Sequence, residues 1–194
     1  MSISKQQIIE AAAKYFQEKG YHATSMFDIA NELGVNKASL YYHVKSKESI
    51  LCDIFDRAMD TLQPRLKEIK QSNLPVIEKI RQVILIHILS IIEETPILTV
   101  FYNERNHLPS EHLALVKHRR RNLEEAVAEI FREGIASGFI KNLDVLPVVY
   151  GILGMCNWIY QWYDPKGRLS PVELAEVYSD LVLKGCLKNP EASD

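Results

Sequence analysis

The segment from Leu33 to Lys47 constrains the fold of this chain more than any other. It reads Leu-Gly-Val-Asn-Lys-Ala-Ser-Leu-Tyr-Tyr-His-Val-Lys-Ser-Lys. Gly34 supplies the positive φ needed where two helices meet at a steep angle. The helix that follows, from about Lys37, buries Leu40 and Val44 one turn apart. Its other face carries Lys37, Ser39, Tyr42 and His43, and the whole stretch has three lysines and no acid. A short aromatic and basic helix of this kind suits a phosphate backbone better than a core or an ordinary surface.

The residues before it predict two more helices. Ile8, Ile9, Ala12, Tyr15 and Phe16 recur at the 3.6-residue period, so a helix spans about 4–19, with Ser4 as N-cap and Gly20 as its stop. Thr24 or Ser25 can cap a second helix, about 26–33, whose Ile29, Ala30 and Leu33 face inward. Three helices with a polar, basic third one follow the helix-turn-helix plan, in which the second helix of the pair enters the major groove.

Many fixed positions carry a closer likeness. Gly20-Tyr21, Thr24-Ser25-Met26, Asp28-Ile29-Ala30, Gly34-Val35 and Leu40-Tyr41-Tyr42-His43-Val44-Lys45-Ser46-Lys47-Glu48 together resemble the N-terminal domain of the TetR family of transcriptional regulators. Two positions depart from the family pattern. Val44 stands where phenylalanine is usual, and Ala38 where glycine is common. The resemblance implies a DNA-binding domain over 1–47 and a ligand-binding and dimerisation domain over 48–194. It implies DNA contacts from Thr24, Ser25, Lys37, Ala38, Ser39, Tyr41, Tyr42, His43 and Lys47. Lys37 and Ser39 are best placed for base edges. The tyrosines, His43 and Lys47 would position the helix on phosphates, with Thr24 or Ser25 offering a hydroxyl to another.

Bulk charge does not announce nucleic acid. Residues 1–50 hold six lysines against five acids, which leaves 17 basic and 20 acidic groups of the chain's 23 and 25 for the remainder. Any DNA affinity must come from local clustering and should fall steeply with salt. Three cysteines without paired spacing argue against a disulfide framework. With neither a leader pattern nor an apolar run of about 18 residues, the chain reads as cytosolic.

Beyond residue 46 the pattern stays helical, punctuated by proline and glycine. Ser46 caps a long fourth helix towards about 71, which Pro64 should kink or break. The next, about 75–94, is apolar almost all round and so should be buried. Helices follow after Pro96, over about 110–137, 145–163 and 170–187. No period-2 strand pattern emerges, so the chain is expected to be all-α with about nine helices.

In the body, Trp158 and Trp162 share a helix face, with Gly151 and Gly154 just upstream. Two readings fit: aromatic walls of an apolar ligand cavity with Asn157 as a polar contact, or packing in the core or a dimer. The His118-Arg119-Arg120-Arg121 run is either solvated and paired with Glu124 and Glu125, or a clamp for an anionic headgroup. Alongside Tyr102-Asn103-Glu104-Arg105, these features resemble regulators of lipid, fatty-acid and steroid catabolism. That likeness implies an acyl-CoA or other apolar effector contacting Phe101, Arg105, Arg120, Asn157, Trp158 and Trp162. It also implies a homodimer through Val148, Ile152, Leu174, Val177, Tyr178 and Leu181 in the last two helices. A regulator of drug efflux, or an all-α carrier without DNA binding, are the rival readings.

Catalysis finds no support. His107, His112 and His118 are spaced five and six apart, wrong for two ligands on one helix face. No nucleophile motif, phosphate loop or dinucleotide fingerprint occurs, and neither cofactor nor metal is expected.

Overall fold

The computed structural model describes residues 3–188. They form ten α-helices: α1 Lys5–Lys19, α2 Met26–Glu32, α3 Lys37–His43, α4 Lys47–Gln71, α5 Val76–Glu93, α6 Thr95–Asn103, α7 Ser110–Ala136, α8 Val145–Asn157, α9 Ile159–Trp162 and α10 Pro171–Cys186. A 3-10 turn, Arg105–His107, follows α6. The fold is all-α, and no strand forms among the described residues beyond one isolated bridge between Ile140 and Leu187. Among the same residues no single helix is long and apolar enough to cross a membrane.

Two compact units are present. Among the described residues, one comprises 3–60 together with Glu94–His118, and the other comprises Thr61–Glu93 together with 119–188. Helices α4 and α7 each contribute residues to both.

In the first unit local signals set the helix ends. Ser4 and Gln7 form a reciprocal capping box on α1, and Gly20, at φ 85°, donates its N–H to Phe16 O at 2.9 Å to close it. Gly34, at φ 63°, turns the chain between α2 and α3. Ile8, Ala12, Phe16, Ile29, Leu40, Ile50, Ile54 and Phe55 are buried and form the core under these helices. Ser46 and Ser49 cap α4 by bonding each other's backbone N–H at 3.0 and 3.1 Å. Helix α6 packs against α1, with Gln17 Nε2 donating to Thr99 Oγ1 at 3.4 Å.

In the second unit α5 is the central helix, packed by α8, α9 and α10. Val83, Ile84, Ile88 and Ile91 are buried along it, as the all-round apolar pattern predicted. Three polar residues of α5 share that interior, of which Ser90 turns its hydroxyl back to Ile86 O at 2.7 Å. Lys79 places its ammonium 3.0 and 3.1 Å from the two Glu133 oxygens, and His87 Nε2 lies 2.8 Å from Asn157 Oδ1. The ends of α7 and α10 are tied by backbone. Lys141 N–H donates to Cys186 O at 2.9 Å and Lys188 N–H to Phe139 O at 3.0 Å. Ile140 fills the space where a Gly134 Cβ would lie, 2.5 Å from its Cδ1.

Two expectations are corrected. Of the kink or break expected at Pro64 the break does not occur, since α4 runs from Lys47 to Gln71 with the proline exposed on its surface. The helix expected over 145–163 divides at Trp158 into α8 and the four-residue α9. There Gln161 N–H turns to Trp158 O, three residues back, next to the Asn157 side chain engaged by His87. The three cysteines are free thiols.

Candidate nucleic-acid interface

Helix α3 has seven residues, too few to persist without caps and packing. Asn36 supplies the cap, its Oδ1 accepting Ser39 N–H at 2.8 Å. Leu40 is fully buried beneath the helix, and Val44 plugs the same core just past its end. The opposite face looks outward. Tyr42 is 86% exposed and Tyr41 45%, while Lys37 and Ala38 are exposed beside them. The Lys37 ammonium lies 5.8 Å from the Tyr41 ring centroid, and the His43 ring meets Tyr42 edge-on at 5.1 Å. His43, Lys45 and Lys5 also border an open groove with Ser46 and Ser49.

Three of the residues expected at DNA have other duties. Thr24 is buried, and its hydroxyl donates towards Gly20 O at 2.9 Å and Tyr15 O at 3.2 Å. It holds the α1–α2 loop from inside and offers nothing to a phosphate. Ser25 caps α2 in a box with Asp28, its hydroxyl donating to Asp28 Oδ2 at 2.6 Å. Those hydrogen bonds from Ser25 hold the Asp28 carboxyl below its ordinary value. An anion therefore already stands at the helix start where a phosphate was expected. Lys47 points into the loop as well. Its ammonium donates to Tyr21 O at 2.7 Å, Thr24 O at 2.8 Å and more weakly to His22 O at 3.4 Å, and sits 4.4 Å over the Tyr21 ring. Burial pushes its pKa down from the ordinary lysine value.

The residues expected to contact an effector fall in both units. Phe101 is buried in the first, its ring 4.9 Å from that of Phe55, and Arg105 is exposed on the 3-10 turn. In the second, Arg120 is exposed and pairs through Nε with Glu124 at 2.9 Å, as the solvated reading of the arginine run expects. Asn157 is engaged with His87. Trp158 and Trp162 are 61% and 48% exposed, so they face outward rather than into an apolar cavity. Gly151 and Gly154 have open space where a Cβ would lie.

The residues expected at a dimer contact also divide. Ile152 and Leu174 are core residues of their own unit, each 2% exposed, so they cannot form a face for a partner. Val148 and Tyr178 are half-buried. Val177 and Leu181, one turn apart on α10, are largely exposed, as are Leu146, Tyr150 and Trp158 on and just past α8. The outward stripe on α8 therefore follows Tyr150, Gly154 and Trp158 at four-residue spacing. Sequence reasoning missed Tyr150, the Asn36 cap and the inward role of Lys47. Asn36 had a signal, an asparagine directly before a helix start. Lys47 had none, since its partners lie 23 to 26 residues upstream.

Comparison with known proteins adds to this geometry. Residues 8–54 match the family described as bacterial regulatory proteins, tetR family. Residues 73–186 match the tetracyclin repressor-like C-terminal domain. The fatty acid metabolism regulator protein of Bacillus subtilis (strain 168) is 30% identical over 181 residues, 92% of this chain and 93% of that protein. Among solved structures, the ketosteroid transcriptional regulator KstR2 of Mycobacterium tuberculosis is similar at a TM-score of 0.88 and 25% identity, covering 97% of each chain. AibR, solved in complex with isovaleryl coenzyme A and operator DNA, gives a TM-score of 0.79 at 27% identity, covering 93% of this chain and 96% of its own.

Proposed function

Because the chain belongs to the TetR family of bacterial regulatory proteins, we propose that it is a homodimeric repressor acting in the cytoplasm. Its paired heads bind a palindromic operator and release it when an acyl-CoA or a similar apolar effector enters the body. The observation that carries the DNA-binding part is the outer face of α3. Two exposed tyrosines, His43 and the Lys37 ammonium stand there on a capped helix with no acid among them. Lys37 and Ser39 at the start of α3 are suited to base edges, while Tyr41, Tyr42, His43 and Lys45 suit phosphates.

A single seven-residue helix reads few bases, so half-site symmetry calls for two copies. The exposed apolar residues of α8 and α10, Tyr150, Trp158, Val177 and Leu181, support an interface there. The effector class rests on the isovaleryl coenzyme A of AibR and on the lipid-related regulators to which the chain is similar. The exposed Arg121 suits the phosphates of a CoA ester, whereas Arg120 would first have to leave Glu124. Effector binding shifts α4, moves the heads out of register with successive major grooves, and frees the DNA.

A gel-shift titration of the full-length protein on the DNA upstream of its own gene tests the reading. A sequence-specific complex that weakens steeply with salt and dissociates on adding acyl-CoA esters is expected. Absence of any specific complex would reject DNA recognition. A complex unmoved by a panel from isovaleryl-CoA to palmitoyl-CoA would reject the effector class alone.

A further inference from the structure

The loop between α1 and α2 is gripped from two directions, and both grips close on Tyr21. From the segment after α6, the Glu104 carboxylate accepts Tyr21 N–H through Oε1 at 3.1 Å. The His107 ring stacks on the Tyr21 ring with centroids 5.3 Å apart and planes 17° apart. His22 meets His107 edge-on at 4.2 Å. His107 Nε2 lies 3.3 Å from Glu104 Oε2, so a single carboxylate orients both the loop backbone and the imidazole. From α4, the Lys47 ammonium takes Tyr21 O at 2.7 Å and Thr24 O at 2.8 Å and covers the same aromatic ring.

Lys47 is the first residue of α4 and follows α3 after three linking residues, of which Val44 is buried in the head core. Whatever fixes Lys47 therefore fixes the end of α3. Glu104 closes α6 by donating its own N–H to Val100 O at 2.9 Å, so it moves with that helix. We propose that Glu104 and His107 are positioning residues for operator recognition. They set the place of α3 through Tyr21 and Lys47, and they are the route by which a displacement of α6 reaches the DNA-reading helix. The proposal rests on the operator-binding, effector-responsive reading above.

Two features argue against ordinary surface glue. The loop's backbone groups are met by the charged ends of Glu104 and Lys47, and charge-assisted bonds of this kind are the strong ones. The link also joins residues 83 apart in sequence through a loop whose own hydroxyl, that of Thr24, is turned inward to brace it. A packing role alone would need the aromatic stack but not a carboxylate shared between a backbone N–H and an imidazole.

The test uses the full-length protein and its operator, with affinity read by fluorescence anisotropy and folding by circular dichroism. Glu104→Ala and His107→Ala should each weaken the effector-free operator complex about tenfold while helical content stays unchanged. Glu104→Gln keeps an acceptor for Tyr21 N–H but not the charge, and should recover only part of the affinity lost in Glu104→Ala. In a double-mutant cycle, Lys47→Met with Glu104→Ala should lose clearly less than the sum of the two single losses, since both act through Tyr21. Pairing Glu104→Ala with Glu176→Ala, an exposed change on α10, should be additive. Wild-type affinity in both alanine variants, or additive losses for Lys47 with Glu104, would overturn the proposal. If Glu104→Ala loses helical content, His107→Ala decides in its place. Failure of the wild-type protein to bind any operator would instead strike the reading on which the proposal depends.

Discussion

Replacing Leu181 by aspartate separates the outward face of α10 from its inward one. In the protomer Leu181 is 63% exposed, so the change should alter protomer stability by no more than about 0.5 kcal/mol. In a symmetric dimer that covers this face the residue is buried twice. Full burial of a leucine is worth about 1.5–3 kcal/mol, and the fraction left to bury here scales that to about 1–2 kcal/mol per copy. Two copies give about 2–4 kcal/mol, a roughly 30- to 1,000-fold weaker dimer. The desolvated carboxylate pushes the outcome towards the upper end. Sedimentation velocity across a dilution series reads the dimer constant, and thermal unfolding of the dilute protein reads the protomer. Leu174→Asp is the contrast. That residue is 2% exposed, and an unpaired carboxylate there should unfold the second unit outright. A Leu181→Asp dimer within threefold of wild type would refute the assignment of this face, as would a protomer destabilised as severely as by Leu174→Asp.

Two further outcomes follow from named contacts. Asn36→Ala removes the α3 cap at a cost of about 1 kcal/mol, which should weaken the operator complex about fivefold, whereas Asn36→Ser should preserve it. Equal affinities for the two variants would show that the cap is not needed. The second outcome is a pH dependence. Burial pushes the His87 pKa from its ordinary 6.5 down to about 4, only partly opposed by the Asn157 hydrogen bond. The folded state therefore keeps His87 neutral while the unfolded state takes up a proton below pH 6.5. Stability from this group is complete above that pH and declines as pH falls towards 4, at up to about 1.4 kcal/mol per pH unit. Urea midpoints compared at pH 7 and pH 5 should show a smaller drop in His87→Gln than in wild type. Parallel slopes would assign the acid sensitivity elsewhere.

The head was legible because its instructions are local. Ser4, Gly20 and Gly34 each act on backbone within a few residues, and Leu40 and Val44 declare their burial by spacing alone. Lys47 could not be read that way. A lysine after an aromatic helix looks like a phosphate ligand, and only the folded loop brings three carbonyls to its ammonium. Thr24 and Ser25 misled for a related reason, since either hydroxyl could cap a helix or meet a phosphate and the sequence does not choose. In the body the difficulty was the absence of contrast. Most of α8 is apolar, so periodicity does not say which side turns inward, and only the fold buries Ile152 while leaving Tyr150 exposed. Pro64 shows what a local rule leaves open, because a proline marks a lost backbone hydrogen bond but the packing of α4 on either side decides whether the helix ends there.

The backbone tie between the α7–α8 connection and the end of α10 has a thermodynamic consequence. Lys141 and Lys188 bond across it, and Ile140 is wedged against Gly134 of α7, so the end of α7 is held to the end of α10 just before the chain enters α8. In the dimeric, effector-responsive reading proposed above, this tie lies beside both helices with outward apolar stripes, so a displacement of the body by an effector would alter how two copies fit. Effector binding and self-association would then be linked, each changing the other by the same factor. Apparent effector affinity should therefore drift with protein concentration, and a cell could tune its sensitivity simply by how much of the regulator it makes.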